Sequence, residues 1–313
     1  MRVLPVLGLL VSAPFAASLA RADTYPLPPP KESIVGQLEY TTTGEEDTLV
    51  DIARHYRLGY ESLAMANPSV DRWLPGEGTP LMLPQQHILP RAPRVGIVVN
   101  IAELRLYYYP KPDKKHPGPR VETYAISAGR GDWPTPNVET YVRQKLKNPA
   151  WYPPLTIRRE HKKDGHKLPS IVPPGPDNPL GPLAMKLGIP GGYFIHGTRK
   201  QNGIGMSVTH GCLRLYPEDM EWLFKIVPEG TKVRVINQPY KAAWHDGVLF
   251  FEAHPPLDDN GVPVADLKAM KERLRLALMR HPGHGYDEEW LRNLARDPRG
   301  IPLPVPAKGA TQG

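Results

Sequence analysis

Residues 194–215 read FIHGTRKQNGIGMSVTHGCLRL and contain Cys212, the only cysteine of the 313-residue chain. His196 and Cys212 flank a Gly-rich loop. Three chemistries fit a cysteine in this setting: a small buried hydrophobe, a metal ligand or a nucleophile. A nucleophilic cysteine needs a base, because the thiolate attacks rather than the thiol. It also needs donors for the oxyanion that forms at the attacked carbonyl. Backbone N–H groups around His210-Gly211-Cys212 suit that task, since glycine allows close approach of the backbone. Two histidines compete for the role of base. His210 lies two residues before Cys212, so on one strand the two side chains share a face. His196 ends a different strand and can lie alongside, and spacing alone does not choose between them. His196, His210 and Cys212 also make a conceivable zinc set, but no second cysteine, H-x3–5-H or HExxH pattern stands near them. A merely buried cysteine explains neither the flanking glycines nor the two histidines.

The start of the chain bears on that thiol. MRVLPVLGLLVSAPFAASLARADTYPLPPP (1–30) has Arg2, an apolar run from Val3 to Ala20, and then Ala20-Arg21-Ala22, an A-x-A cleavage pattern. Cleavage after Ala22 starts the mature chain at Asp23. The alternative is an uncleaved anchor, because about 18 apolar residues approach the minimum for a span. Pro5, Pro14 and the small-residue end favour a cleaved signal peptide over residues 1–22 and an exported protein. Exported proteins use cysteines in pairs, as disulfides. A lone thiol there is a liability unless it is buried or useful.

The net charge is +7, and +5 once Arg2 and Arg21 are removed with the signal. Such a surface favours anionic polymers such as nucleic acid, lipid headgroups or cell wall. The charge is spread, with no like-charged block longer than HKK (161–163), so nucleic acid is not the expected partner. The chain has 39 prolines, many of them clustered, which predicts long loops and extended linkers.

Residues 23–37 are Pro-rich and read as an extended arm. TLVDIARHYRL places Leu49, Ile52, Ala53 and Tyr56 at helical spacing. GYESLAMANP reads as a second short helix stopping at Asn67-Pro68, and GTPLMLP as a closing strand. From Arg94 the pattern turns to β. RVGIVVNIAELRLYYYP predicts two strands around a turn at Asn100–Glu103, and RVETYAISAG, ETYVRQKLKN, GYFIHGT and TKVRVIN predict further strands. LPSIVPPGPDNPLGPLAMKLGIPGG (168–192) reads as a long ordered loop lining a site. YPEDMEWLFKIVPEG reads as a helix with Pro217 in its first turn and Gly230 beyond its end. Residues 94–239 thus form an expected mainly-β domain. Residues 240–297 form a C-terminal extension in which Leu267, Met270, Leu274 and Leu278 share one helix face. Residues 298–313 read as a disordered tail.

Two resemblances follow from these stretches. DTLVDIARHY, LAMANPSV and LPGEGTPLMLP resemble a LysM module over residues 38–84, a βααβ unit that in that family binds N-acetylglucosamine polymers. His196-Gly197, Thr209-His210-Gly211-Cys212, Leu213 and Arg214 resemble the signature of YkuD-type L,D-transpeptidases, with Thr209 where serine is common. VGIVVNIAELRLYYYP, VPPGPDNPLGPLAMKLG and RLYPEDMEWLF look like the ErfK/YbiS branch, periplasmic enzymes of Gram-negative bacteria, and the likeness spans roughly residues 1–257. It implies a mainly-β catalytic fold, a β-sandwich joined to the small βααβ unit; the expected C-terminal helices lie beyond the likeness. It implies Cys212 as nucleophile, His196 as general acid and base, and the Gly197 backbone carbonyl as the group that orients the ring. His210 and Gly211 then shape the site and its oxyanion donors, and Thr209 and Arg214 lie in the substrate-binding region. A guanidinium forks well onto a carboxylate, although a purely structural Arg214 is an open alternative. The implied substrate is a peptidoglycan tetrapeptide stem. The implied acceptor is an outer-membrane lipoprotein lysine, a second stem or water, and carbapenems are the implied covalent inhibitors. This chemistry calls for no metal or organic cofactor. The competing reading is a non-catalytic peptidoglycan-binding protein.

Overall fold

The β-branched and aromatic run from Gly96 becomes two antiparallel strands, Gly96–Asn100 and Arg105–Tyr109, buried along their whole length. Alternation sends Ile97, Val99, Leu106 and Tyr108 to one face and Val98, Tyr107 and Tyr109 to the other. A strand buried on both faces reads as a continuous apolar run, as these do. A single 3-10 turn, Ile101–Glu103, joins them, and Leu104 closes it in the left-handed region at φ 49°. The protein is described here from a computed structural model covering residues 23–256, 258, 264–279 and 281–307. The expected signal peptide, residues 1–22, lies outside the described residues.

Nine strands form the main sheet. Their spatial order is Asp23–Pro26, Arg120–Ala125, Arg105–Tyr109, Gly96–Asn100, Lys232–Ile236, Glu139–Lys147, Leu183–Leu187, Phe194–Gly197 and Leu213–Leu215. Glu139–Lys147 is the hinge of this sheet. Its first residues pair with Lys232–Arg234, its later ones with Leu183–Leu187, and the register shifts between Val142 and Gln144. Both parts of the sheet send side chains into one core, which Met220, Leu223 and Phe224 of the helix Pro217–Ile226 complete. The mainly-β architecture expected from the sequence is the one the chain adopts.

The strands Glu39–Thr42 and Pro80–Leu83 pair antiparallel around the helices Leu49–His55 and Tyr60–Ala66. A capping box between Thr48 and Asp51 starts the first helix. This βααβ unit packs on Leu49, Ile52, Leu63, Leu81 and Leu83 and docks behind the loop that precedes Cys212. Tyr60 N–H donates to Ile204 O at 3.1 Å, and Tyr216 Oη donates to Leu58 O at 2.9 Å. Arg57 pairs with the buried Asp219 at 3.0 Å. Gly205 has φ +83°, and a Cβ there would come within 2.3 Å of Gly59 Cα, so only glycine fits this contact.

Three stretches differ from their sequence reading. The expected arm 23–37 instead supplies the sheet's edge strand, Asp23–Pro26, and a buried pairing of Ile34–Val35 with His87–Ile88. The expected loop 168–192 contains the strand Leu183–Leu187, whose apolar residues are masked by the prolines and glycines around them. In the expected disordered tail, Leu303–Pro304 pairs with Phe250–Phe251 and Ile301 is buried. The tail has a place there because the C-terminal part contains an unforeseen hairpin, Tyr240–His245 with Val248–Ala253. Against that hairpin pack the helices Leu267–Leu278 and Glu288–Arg296, through Met270, Leu274, Leu291 and Leu294.

A buried charge cluster ties this part to the sheet. Lys241 Nζ lies 2.6 Å from Glu103 Oε2, 2.7 Å from Glu252 Oε1 and 2.6 Å from Ile88 O. Burial pushes the Glu252 carboxyl up, but Lys241 and His254 outweigh it and hold it below the ordinary range. Removing one member of such a cluster strands the opposite charge, at a cost of about 3–5 kcal/mol. Lys241→Met should therefore lower the urea midpoint strongly at pH 7. The deficit should shrink toward pH 5 as the stranded carboxylates take up protons. Equal midpoints for Lys241→Met and wild type at pH 7 would remove the cluster from any stabilising role.

Candidate active site

The strands Phe194–Gly197 and Leu213–Leu215 run parallel, with Ile195 opposite Leu213, His196 opposite Arg214 and Gly197 opposite Leu215. Ile195, Leu213 and Leu215 all point into the core. Side chains alternate along a strand, so His196, Arg214 and Cys212 emerge on the opposite face. The pairing thus brings together residues sixteen positions apart. Cys212 is half-buried, and its thiol reaches Gly192 O at 3.9 Å.

The turn before Cys212 is fixed by Thr209, which is fully buried. Its Oγ1 donates to Cys212 O at 2.7 Å and accepts Gly211 N–H at 3.0 Å. Thr135 Oγ1 donates to Gly211 O at 2.9 Å. Gly211 sits at φ +97°, and a Cβ would meet the Tyr193 ring at 2.6 Å. The position therefore excludes every other residue on two grounds. Of the backbone donors expected near residues 210–212, the Gly211 N–H is already committed to Thr209.

His196 is 2% exposed, and its Nδ1 lies 2.8 Å from Gly197 O. A carbonyl only accepts, so Nδ1 carries the proton and Nε2 keeps its lone pair. Burial, aided by the Arg214 charge, lowers the imidazole pKa to about 4, against the pull of the Gly197 bond. Burial pushes the Cys212 thiol above its ordinary value, while a backbone bond at Phe194 and the Arg214 charge work the other way. At neutral pH both groups are uncharged, and the imidazole is the one able to take a proton. Burial also lowers the Arg214 guanidinium pKa. Its Nε is buried with no hydrogen-bond partner, and no carboxylate pairs with it among the described residues.

His210 stands differently from His196. Its Nε2 lies 2.7 Å from Glu160 Oε2, and its ring meets Trp133 edge-on at 5.2 Å between centroids. Glu160 belongs to the helix Leu155–Lys163 and also binds Arg130. Sequence reasoning missed Glu160, Thr135, Tyr193 and Trp133. None sits in the motif, and Glu160 reaches His210 across fifty positions, a separation no local pattern signals.

Two outcomes follow from this geometry. Thr209→Val keeps shape but strips the partner from the buried Gly211 N–H, costing about 1–3 kcal/mol in urea unfolding. An unchanged unfolding midpoint in that variant would contradict the role of the hydroxyl. Alkylation of Cys212 by iodoacetamide should rise with pH through a midpoint above that of an ordinary thiol, with no inflection near 6.5, because His196 stays neutral down to about 4. A clear step in the alkylation rate at pH 6.5 would mean that His196 is not buried as described.

Comparison with known proteins agrees with the fold and the motif. The YkuD family, the L,D-transpeptidase catalytic domain, matches residues 94–235. The chain is 44% identical to "Probable L,D-transpeptidase YcfS" of Escherichia coli strain K12, over 78% of each chain. It is 44% identical to "Probable L,D-transpeptidase ErfK/SrfK" of the same strain, over 79% of this chain and 78% of that one. To "Probable L,D-transpeptidase YbiS" of that strain it is 43% identical, over 80% and 82%. With relatives this similar over most of their length, and with the motif cysteine and histidine brought to one face of the sheet, the chain belongs to the L,D-transpeptidase family and is an L,D-transpeptidase.

Proposed function

We propose that the protein is exported to the periplasm and acts on peptidoglycan tetrapeptide stems through a Cys212 acyl-enzyme. The observation that carries this reading is the His196 ring, held by Gly197 O with its free Nε2 on the same face as Cys212. Cys212 Sγ attacks the carbonyl of the amide between the diaminopimelate L-centre and the terminal D-alanine, and the thiol proton passes to His196 Nε2. The N–H of Cys212 stabilises the oxyanion. The intermediate collapses with cleavage of the C–N bond, His196 returns the proton to the leaving nitrogen, and D-alanine departs. An acceptor amine then attacks the thioester, gives its proton to His196, and the released thiolate recovers it. The acceptor is a lipoprotein lysine, as in the branch the motif resembles; a second stem gives a cross-link and water gives carboxypeptidase action. Arg214, a cation with no carboxylate partner among the described residues, suits a stem carboxylate. A β-lactam of the carbapenem class would acylate the same sulfur. The βααβ unit, which exposes Tyr40 and Trp73, would hold the glycan as a LysM-like module.

Cys212→Ala should abolish D-alanine release and acylation by a carbapenem while leaving sacculus binding unchanged. Undiminished release from that variant would sink the assignment of Cys212 as the nucleophile. Mass spectrometry of muropeptides, with and without lipoprotein, separates the three acceptors by the mass of the product.

A further inference from the structure

The helix Leu155–Lys163 hangs beside the site on few attachments. Ile157 is its one buried residue, and Arg158, Arg159, Lys162 and Lys163 make it strongly cationic. Glu160 is its only acidic side chain, and it turns toward the catalytic turn. Its carboxylate receives two donors at once. Oε2 lies 2.7 Å from His210 Nε2, and Oε1 binds Arg130 Nη2, whose Nε lies 2.7 Å from Asp132 Oδ1. The bond from His210, and then that from Arg130, hold Glu160 below the usual carboxylate range, so it is ionised at neutral pH. An ionised carboxylate only accepts, and His210 Nε2–H must donate. Trp133, following Asp132, closes on the ring from another side. His210 is therefore gripped from outside the motif, while its backbone leads through Gly211 to the nucleophile.

We propose that Glu160 is a positioning residue for the transpeptidase reaction. Its carboxylate, set by Arg130, fixes the tautomer and ring plane of His210, and through the 209–212 turn it sets where Cys212 and its N–H stand. The proposal rests on the reading of Cys212 as nucleophile and adds the device that holds it in register. An exposed ion pair adds little to stability, so the helix-to-turn link matters for geometry rather than for folding. Small misplacement of a reacting group costs a large factor in rate.

The test compares wild type with Glu160→Ala, Glu160→Gln and Arg130→Ala. D-alanine release from a tetrapeptide stem should fall on the order of tenfold to a hundredfold in kcat for Glu160→Ala, with KM little changed. Glu160→Gln, which keeps the acceptor oxygen, should recover part of the loss, and Arg130→Ala should lie between. Thermal midpoints should stay near wild type. Nitrogen-15 NMR of labelled histidine gives a readout that does not depend on turnover. The His210 signal should report a proton held on Nε2 in wild type, and a mixture of tautomers in Glu160→Ala. Wild-type kcat in Glu160→Ala, or an unchanged His210 spectrum, overturns the proposal. An inert wild type with the expected His210 spectrum would instead sink the substrate reading and leave the clamp standing.

Discussion

The site depends on one constraint, the parallel pairing of Phe194–Gly197 with Leu213–Leu215 at the edge of the main sheet. Ile195, Leu213 and Leu215 must enter the core, and a strand that sends alternate residues inward sends the others outward. His196 and Cys212 face the same way for that reason alone. A register slip of one residue would put the imidazole into the core and an isoleucine into the site. The apolar side chains of the motif are thus as much a condition of the chemistry as its polar ones.

A parallel pair needs a long crossover, and here the crossover is the Gly-rich segment between Gly197 and Cys212. Such a segment has little apolar surface with which to order itself. The βααβ unit supplies what it lacks. Ile204 and Gly205 accept backbone bonds from Tyr60 and Glu61, and Met206 packs against the unit's core. The βααβ unit, whatever it binds, is therefore part of the wall that holds the loop before Cys212. Elsewhere, Lys241 fastens the C-terminal hairpin to Glu103 in the turn of the central strand pair.

Local patterns made much of this legible. The β-branched runs announced the central strands, Pro217 and its acidic neighbours announced the helix after the motif, and His-Gly with Thr-His-Gly-Cys announced the family. The choice of His196 over His210 came from family likeness, because spacing favoured neither. What stayed hidden was long-range. The strand Leu183–Leu187 lies among prolines and glycines that advertise a loop. The tail residue Leu303 pairs with Phe251 of a hairpin 52 positions earlier. Glu160 looks like one acid in a basic helix until the sheet brings it to His210. Propensity and periodicity describe segments, and these contacts belong to no segment.

For the proposed nucleophile, the resting charges of the site fit a thiol that is armed late. Burial raises the thiol and lowers the imidazole, so each disfavours its charged form and a standing thiolate–imidazolium pair is unfavourable. Arg214 pulls on the two groups in opposite senses. Its charge favours the thiolate but opposes the imidazolium, so in the free enzyme it cannot stabilise the pair as a whole. An anionic partner on the guanidinium would relieve the opposition to the imidazolium while giving up part of the help to the thiolate. Proton transfer from sulfur to Nε2 is then best coupled to attack, when the negative charge leaves sulfur for the oxyanion and its N–H donor. On the proposed mechanism, the burial that keeps Cys212 unreactive at rest also strengthens the electrostatic stabilisation that the site offers in the transition state.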